Sequence, residues 1–371
     1  MRDVIAVILI AVLIVGGYFG YRAIFSGEEA GAEPVATPSP LTDETPSSAL
    51  EASPSSPQVI EEPGQAQQVA LTQAEQAAAA PPAQPEQAAP SPTAQEDPAQ
   101  KLFEQGRLLY SQNNVQGAAD SLNAVISKYP ESPYSAPAAA TLAGITVNTD
   151  KWSARNLYSF AFDRTEDAKL KEECRKALDQ LNSDLVFSAT PSKDSESYQV
   201  QPGDVLTTIA AKYNCPYKFI MQINNIEDAR KVRVGDRIKV LTGPKGKMEM
   251  RIVVDKSDFT LTVYLNNYYL KQYKVSLGRS DKTPVGTFTV TERVEKPEWR
   301  GLKHGDPKNI LGDYWLTLRS DKFTGLGIHG TKNEPDTMGK NVSKGCIRIS
   351  NDDIKELYIM IPVGTQVIIQ E

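Results

Sequence analysis

The chain has 371 residues, of which 40% are hydrophobic, and this length allows two or three domains. Its formal net charge of −6 is uneven, because residues 27–98 contain twelve acidic residues and no lysine or arginine, whereas residues 99–371 carry a net charge of +5. The sequence has no basic stripe with interleaved aromatic residues, which argues against a nucleic-acid-binding protein.

The N-terminal residues 1–26 are predicted to anchor the chain in a membrane. An unbroken apolar run extends from Val4 to Tyr21, close to the ~20 residues that a helix needs to cross the hydrocarbon core. The bulky residues that follow, up to Phe25, make a poor cleavage site for a signal peptide. We therefore expect an uncleaved helix, with the remaining chain on the extracytoplasmic side, towards the periplasm or the cell wall.

Residues 27–98 form a predicted linker. They hold thirteen of the 25 prolines and many Ala, Glu and Gln residues, but no aromatic residue. Such a composition buries too little apolar surface to offset the conformational entropy lost on folding. We expect a disordered tether between the anchor and the folded part.

Residues 99–185 are predicted to be helical, because apolar residues recur three or four positions apart in successive segments. Asn113 separates the first two segments, and Pro130 ends the second. The pattern resembles about one and a half tetratricopeptide repeats, with Gly106 and Ala118 where the helices cross. Two roles stay open for this segment, a docking surface for a protein partner and a rigid spacer.

Residues 197–242 show a strand–helix–helix–strand pattern, which begins with YQVQPGD and ends with VRVGDRIKV. The segment resembles a LysM domain, a family that binds N-acetylglucosamine-containing glycans of peptidoglycan or chitin. The resemblance implies a shallow glycan-binding groove beside four residues: Gly203, Asp204, Asn224 and Asn225.

Residues 249–371 are predicted to be rich in β-strands. Apolar and polar residues alternate through RIVVDKSDFTLTVYLNNYYLKQYKVSLG, and a turn is expected between Leu265 and Tyr268. A last strand is predicted from Gly364 to Ile369. Strands at this spacing indicate a sandwich or a barrel.

Cys346 and His329 are the candidate reactive pair in this last segment. A cysteine reacts as its thiolate, and a nearby imidazole can accept the thiol proton. Arg348 would lie on the same face of a strand as Cys346. A buried structural role for both residues is the simpler alternative. A metal site is disfavoured, because His304 is the only other histidine and the chain lacks a CxxC motif.

The motif IHGTxxxxxxxGxxVSKGCIRIS, preceded by TPVGTF, resembles the catalytic region of the L,D-transpeptidases of the YkuD family. The resemblance implies a β-sandwich-like fold in which Cys346 is the nucleophile and His329 is its base. It also implies supporting roles for Gly330, whose carbonyl orients the imidazole, for Ser343 in the loop, and for the N–H groups of Gly345 and Cys346 in an oxyanion hole. The candidate substrate-binding residues are Arg348, Lys344, Tyr314 and Trp315. Many members of the family have His at the position of Lys344.

The implied reaction forms 3→3 cross-links between stem peptides of peptidoglycan through a Cys346 thioester, without a cofactor or metal. Two alternatives stay open: hydrolysis of the same acyl-enzyme, which would make an L,D-carboxypeptidase, and a wall-binding scaffold without activity. In an oxidising compartment Cys174 and Cys215 either form a disulfide or remain free thiols.

Overall fold

The computed structural model describes residues 97–331 and 337–371. The predicted membrane anchor and all but the last two residues of the predicted linker lie outside the described residues. Within residues 97–331 and 337–371, every helix is too short or too polar to cross a membrane.

The first part of the described chain is a series of five helices, which confirms the helical prediction for this segment. Four of them start at an Asp or Asn whose side chain accepts a backbone N–H of the first turn, the usual N-cap arrangement. The helices are α1 (Pro98–Ser111), α2 (Val115–Lys128), α3 (Ser135–Thr146), α4 (Lys151–Arg164) and α5 (Ala168–Leu185).

Close packing of α1 on α2 depends on Gly106. A Cβ at this position would lie 2.8 Å from Cγ of Leu122, so only glycine allows the approach. Leu122 and Val125 of α2 are fully buried between the helices. Cys174 of α5 is buried in the same helical core, where it serves as a small apolar residue.

Next comes a small unit, the LysM-like unit, in which two strands pair antiparallel and two short helices connect them, as the sequence predicts. It comprises β1 (Ser195–Gln199), α6 (Leu206–Tyr213), α7 (Tyr217–Ile223) and β2 (Arg237–Leu241). Its apolar residues belong to one continuous core with those of the following β-rich part. Asn214 and Tyr213 also bond the backbone of Met248, so this unit is packed firmly onto the β-rich part.

The β-rich prediction for the last segment is confirmed. The strands are β3 (Met250–Asp255), β4 (Thr260–Leu265), β5 (Tyr268–Lys274), β6 (Leu277–Gly278), β7 (Gly286–Glu295), β8 (Tyr314–Arg319), β9 (Leu326–His329), β10 (Asn341–Ser343), β11 (Ile347–Arg348) and β12 (Gln366–Gln370), and helix α8 (Asn351–Met360) precedes the last strand. Eight strands form one mixed sheet in the order β11-β9-β8-β7-β12-β3-β4-β5, and β6 pairs parallel with β10.

The two edges of the eight-stranded sheet meet at Ser276. This residue follows β5, which is one edge, and exchanges two backbone hydrogen bonds of 2.8 Å with Arg348 of β11, the other edge. The sheet therefore folds back on itself around the buried core. The Ser276–Arg348 pairing lies two residues after Cys346, so it fixes the chain directly after this cysteine.

Helices α4 and α5 cover the edge strand β5. Asn182 donates to the carbonyls of Tyr269 and Leu270 at 3.0 and 2.9 Å, and Ser159 accepts the N–H of Tyr269 at 2.8 Å. Free strand edges favour aggregation unless they are covered or charged. The helical part therefore contributes to the fold of the β-rich part.

Of the two alternatives for Cys174 and Cys215, the structure shows free thiols, since all three cysteines are unpaired. Cys174 lies in the helical core, whereas Cys215 lies in the core shared by the LysM-like and β-rich parts. The sequence pattern did not show that the two cysteines belong to different cores.

Candidate active site

The register of three neighbouring strands brings the candidate residues to one face of the sheet. Arg348 of β11 pairs with His329 of β9, and His329 pairs with Trp315 of β8. Side chains of directly paired residues project to the same face, and residues two apart along a strand share it. Cys346, two residues before Arg348, consequently lies level with Gly327 on this face.

His329 is held by its backbone neighbour and by an aromatic ring. Its side chain is buried, its Nδ1 lies 2.6 Å from the carbonyl oxygen of Gly330, and its ring stacks on Trp315 at a centroid distance of 5.4 Å. A carbonyl oxygen only accepts hydrogen bonds, so Nδ1 carries the proton in the neutral ring. Nε2 is then the free basic nitrogen, which is the tautomer that a general base requires.

Glycine is required at position 330 by close packing. A Cβ there would lie 2.2 Å from Oδ1 of Asn351, at the start of α8. The Gly330 carbonyl also accepts the N–H of Gly312 at 3.3 Å. The carbonyl that orients the imidazole is thus bonded to the Gly312 segment, while Gly330 itself packs against the start of α8. Asn351 and Gly312 have no role in the sequence prediction, since nothing in their local pattern places them against the histidine.

Cys346 is half-buried at the end of the loop between β10 and β11, with Sγ 3.9 Å from the carbonyl oxygen of Gly325. Burial raises the pKa of the thiol, although a backbone hydrogen bond from Gly327 and the positive charge of Arg348 act in the opposite direction. The thiol is therefore protonated at neutral pH in the free protein. Nucleophilic attack requires a base to take its proton.

Ser343 shapes the loop that presents Cys346. The buried Ser343 hydroxyl donates to the Cys346 carbonyl at 2.6 Å and accepts the N–H of Gly345 at 3.0 Å. This geometry fits the supporting role predicted for Ser343. It argues against the oxyanion role predicted for the Gly345 N–H, because that group is already bonded within the loop. The matching role of the Cys346 N–H stays a prediction.

Gly345 and Gly278 allow the loop to approach the strand beside it. Gly345 has a φ of 138°, and a Cβ on Gly278 would lie 2.9 Å from Cα of Gly345. The Thr283 hydroxyl joins the two segments, since it donates to the Gly345 carbonyl and accepts the Gly278 N–H, both at 2.8 Å. Thr283 is the first residue of the TPVGTF motif, and the motif alone does not predict this contact.

Three of the four predicted substrate-binding residues lie near His329 or on the loop that carries Cys346, and the fourth does not. Trp315 and Arg348 are half-buried beside His329, and Lys344 is exposed on the loop. The structure does not bring Tyr314 to this face. Its ring packs on Tyr358 of α8 at 4.6 Å. The reason is the alternation of side chains along β8, which sends neighbouring residues to opposite faces.

The predicted glycan-binding residues are mostly occupied by contacts within the LysM-like unit. Asp204 accepts from the Tyr198 hydroxyl and the Gln201 N–H at 2.7 and 2.8 Å, and Asn224 joins Ile220 to Lys239 through three bonds of 2.7–2.8 Å. These side chains hold the fold and leave little capacity for a ligand.

A cavity of about 520 Å³ lies beside part of the predicted groove. Asn224 and Asn225 line it, whereas Gly203 and Asp204 do not. Gly203 instead has a φ of 88°, which the turn before α6 requires. The structure thus divides the four predicted residues between the cavity and a structural turn.

The pH dependence of stability tests the buried neutral state of His329. Burial, and secondarily the charge of Arg348, lower the pKa of His329 from 6.5 to about 4. Between these two values the unfolded chain binds more protons than the folded chain, so stability is lost as the pH falls. From pH 7 to pH 5 we expect the native protein to lose about 2 kcal/mol more unfolding free energy than His329→Gln. Urea unfolding at the two pH values measures this difference, and equal losses would contradict a neutral buried imidazole.

Two family models match the chain. The model of the L,D-transpeptidase catalytic domain matches residues 249–369, and the model of the LysM domain matches residues 198–241. The first match includes all strands and loops that hold Cys346 and His329.

The chain is similar to several proteins that are named as L,D-transpeptidases. The YkuD protein of Bacillus licheniformis, named as an L,D-transpeptidase, is 35% identical over 173 residues, which are 46% of this chain and 96% of the relative. The YkuD protein of Bacillus subtilis, named likewise, is 37% identical over 175 residues, 47% of this chain and 98% of the relative. A solved L,D-transpeptidase from Mycobacterium smegmatis aligns with a TM-score of 0.30 and 26% identity, over 38% of this chain and 65% of the solved chain.

Proposed function

Because this chain belongs to the YkuD family of L,D-transpeptidases, we propose that it cross-links stem peptides of peptidoglycan through a thioester on Cys346. The observation that carries the cysteine-dependent mechanism is the shared face of β9 and β11. Arg348 of β11 pairs with His329 of β9, and Cys346 lies at the end of the loop that leads directly into β11. The imidazole tautomer leaves Nε2 free to accept a proton.

The first half-reaction is acylation. Nε2 of His329 takes the proton of the Cys346 thiol as the sulfur attacks the carbonyl of the third residue of a tetrapeptide stem. The bond from this residue, an L-centre diamino acid, to D-alanine breaks. The imidazolium returns the proton to the departing amine, and D-alanine leaves. The Cys346 thioester retains the first three residues of the stem.

The second half-reaction is transfer. The side-chain amine of a second stem attacks the thioester, His329 accepts the excess proton, and the Cys346 thiol is restored by that proton. The product is a 3→3 cross-link. The same thioester attacked by water would give a tripeptide, which is the L,D-carboxypeptidase alternative. The choice between an amine and water as the acceptor therefore decides which of the two products forms.

Product analysis separates transfer from hydrolysis. Full-length protein is incubated with a tetrapeptide stem in which the side-chain amine is either free or acetylated, and products are identified by mass spectrometry. We expect a dimer and released D-alanine with the free amine, because the amine is the acceptor. With the acetylated stem we expect at most slow release of D-alanine. Equal release of tripeptide from both stems, without dimer, would favour the carboxypeptidase.

We propose that the remaining segments place the enzyme at the wall. The apolar run in residues 1–26 supports membrane anchoring, with the described part extracytoplasmic, and residues 27–98 would act as the tether. The LysM match supports binding of glycan strands. The tetratricopeptide-like character of residues 99–185, with a protein partner, is proposed from the sequence pattern alone.

A further inference from the structure

A positively charged turn borders the loop that carries Cys346. Residues 279–282 read Arg-Ser-Asp-Lys, and both ends of this turn are attached to the loop. Gly278, before the turn, lies against Gly345, and Thr283, after it, donates to the Gly345 carbonyl. The turn is therefore fixed beside the residue that precedes Cys346.

Among the described residues, several cations around this turn have no acidic partner. Arg279, Lys282 and Lys344 are exposed, and none of them forms an ion pair within residues 97–331 and 337–371. The acidic residue of the turn, Asp281, already forms an ion pair with Lys256 at 2.5 Å.

Arg348 likewise forms no ion pair with any residue that the structure describes. Its Nε is buried and has no hydrogen-bond partner among the described residues. Burial lowers the pKa of the Arg348 guanidinium, and the nearby charge of Arg279 lowers it further. The chain brings the two arginines to neighbouring segments, since Ser276, three residues before Arg279, pairs with Arg348. Two nearby guanidinium groups repel each other, and a bound anion removes that cost.

We propose that Arg279, together with Arg348, forms a carboxylate-binding site for the donor stem next to Cys346, and that Arg279 determines specificity for a free carboxylate over a carboxamide. A guanidinium binds a carboxylate through two parallel, charge-assisted hydrogen bonds, whereas a neutral amide offers one acceptor and no charge. This inference rests on the proposed transpeptidase function, and it adds a residue outside the Cys346 motif.

Two carboxylates of a tetrapeptide donor are within chemical reach of such a site. One is the C-terminal carboxylate of the departing D-alanine. The other is the side-chain carboxylate of a diamino acid that carries one. Both are one residue or less from the carbonyl that Cys346 attacks, so the two sources have to be separated by experiment.

The test compares three donors that differ only at these groups. One donor has both carboxylates free, the second has a C-terminal carboxamide, and the third has a side-chain carboxamide. The kcat/KM for release of the terminal residue is measured with the full-length protein and with Arg279→Gln, Arg279→Lys and Arg233→Gln. Arg233 is exposed on the LysM-like unit, so its substitution removes the same charge at a distance.

With the native protein we expect one of the two carboxamide donors to react about tenfold or more slowly than the free donor, through a higher KM. Arg279→Gln should lower kcat/KM for the free donor to the value for that carboxamide donor. It should leave kcat/KM for the carboxamide donor unchanged. Arg279→Lys should retain part of the preference, and Arg233→Gln should retain all of it. The carboxylate that Arg279 binds is the one whose conversion to a carboxamide slows the native protein but not Arg279→Gln.

Two results would overturn the site: no discrimination by the native protein, or equal slowing of all three donors by Arg279→Gln. Failure of the proposed function would look different. In that case the native protein would release the terminal residue from none of the donors, or Cys346→Ala would release it as fast as the native protein.

Discussion

Replacement of His329 by alanine is expected to lower kcat/KM for stem-peptide transfer by a factor of about 10²–10⁴, the usual contribution of a general base. The reason is the state of Cys346. Burial raises the pKa of its thiol, so little thiolate forms at neutral pH without a base. The rate is measured as D-alanine release at pH 7.

The matched control is His304→Ala. His304 is the only other histidine, and it bonds Asp313 at 2.8 Å in the segment between β7 and β8. We expect this variant to retain activity. The His329→Ala rate should also rise with pH, because hydroxide then removes the thiol proton. A His329→Ala protein that is folded and as active as the native protein at pH 7 would exclude the imidazole as the base.

Replacement of Tyr269 by alanine is expected to destabilise the protein by about 3–5 kcal/mol, the cost of deleting a buried aromatic ring. Tyr269 of β5 is fully buried between the sheet and the helices. Its ring packs edge-on against Phe162 at 4.8 Å, and its hydroxyl donates to Asp179 at 2.9 Å. The loss is measured by urea unfolding of the full-length protein.

Tyr110→Ala provides the comparison, because this tyrosine is 49% exposed on α1 and should contribute little. If Tyr269→Ala were no more destabilising than Tyr110→Ala, the helices would be an attached spacer. The predicted large difference would instead show that α4 and α5 are part of the fold that supports the catalytic segment.

The sequence predicts those residues of the candidate site that lie in a recognisable local motif. Cys346, His329 and Ser343 lie in one motif, and the structure places them around one strand pairing. Two predicted site groups, one of them outside this motif, are placed differently by the structure. Tyr314 faces α8, because a strand alternates its side chains, and the Gly345 N–H is bonded to Ser343.

Contacts between distant segments could not be predicted from the sequence. The helical pattern of residues 99–185 gave no sign that Asn182 bonds the backbone of β5, since that contact joins residues 87 positions apart. Asp204 and Asn224 match the LysM pattern, but pattern alone does not distinguish ligand binding from the internal bonds that these side chains form. The position of Arg279 near the Cys346 loop follows from the packing of Gly278 on Gly345, a contact that no local sequence pattern predicts.

The most direct test of the central claim is the mass of the full-length protein after incubation with a tetrapeptide donor whose side-chain amine is acetylated. The mechanism predicts an added mass equal to the donor without D-alanine, located on Cys346 after digestion and absent from Cys346→Ala. Cys174 and Cys215 are buried thiols in the same chain and should remain unmodified. Release of D-alanine in the Cys346→Ala protein at the native rate would contradict the account.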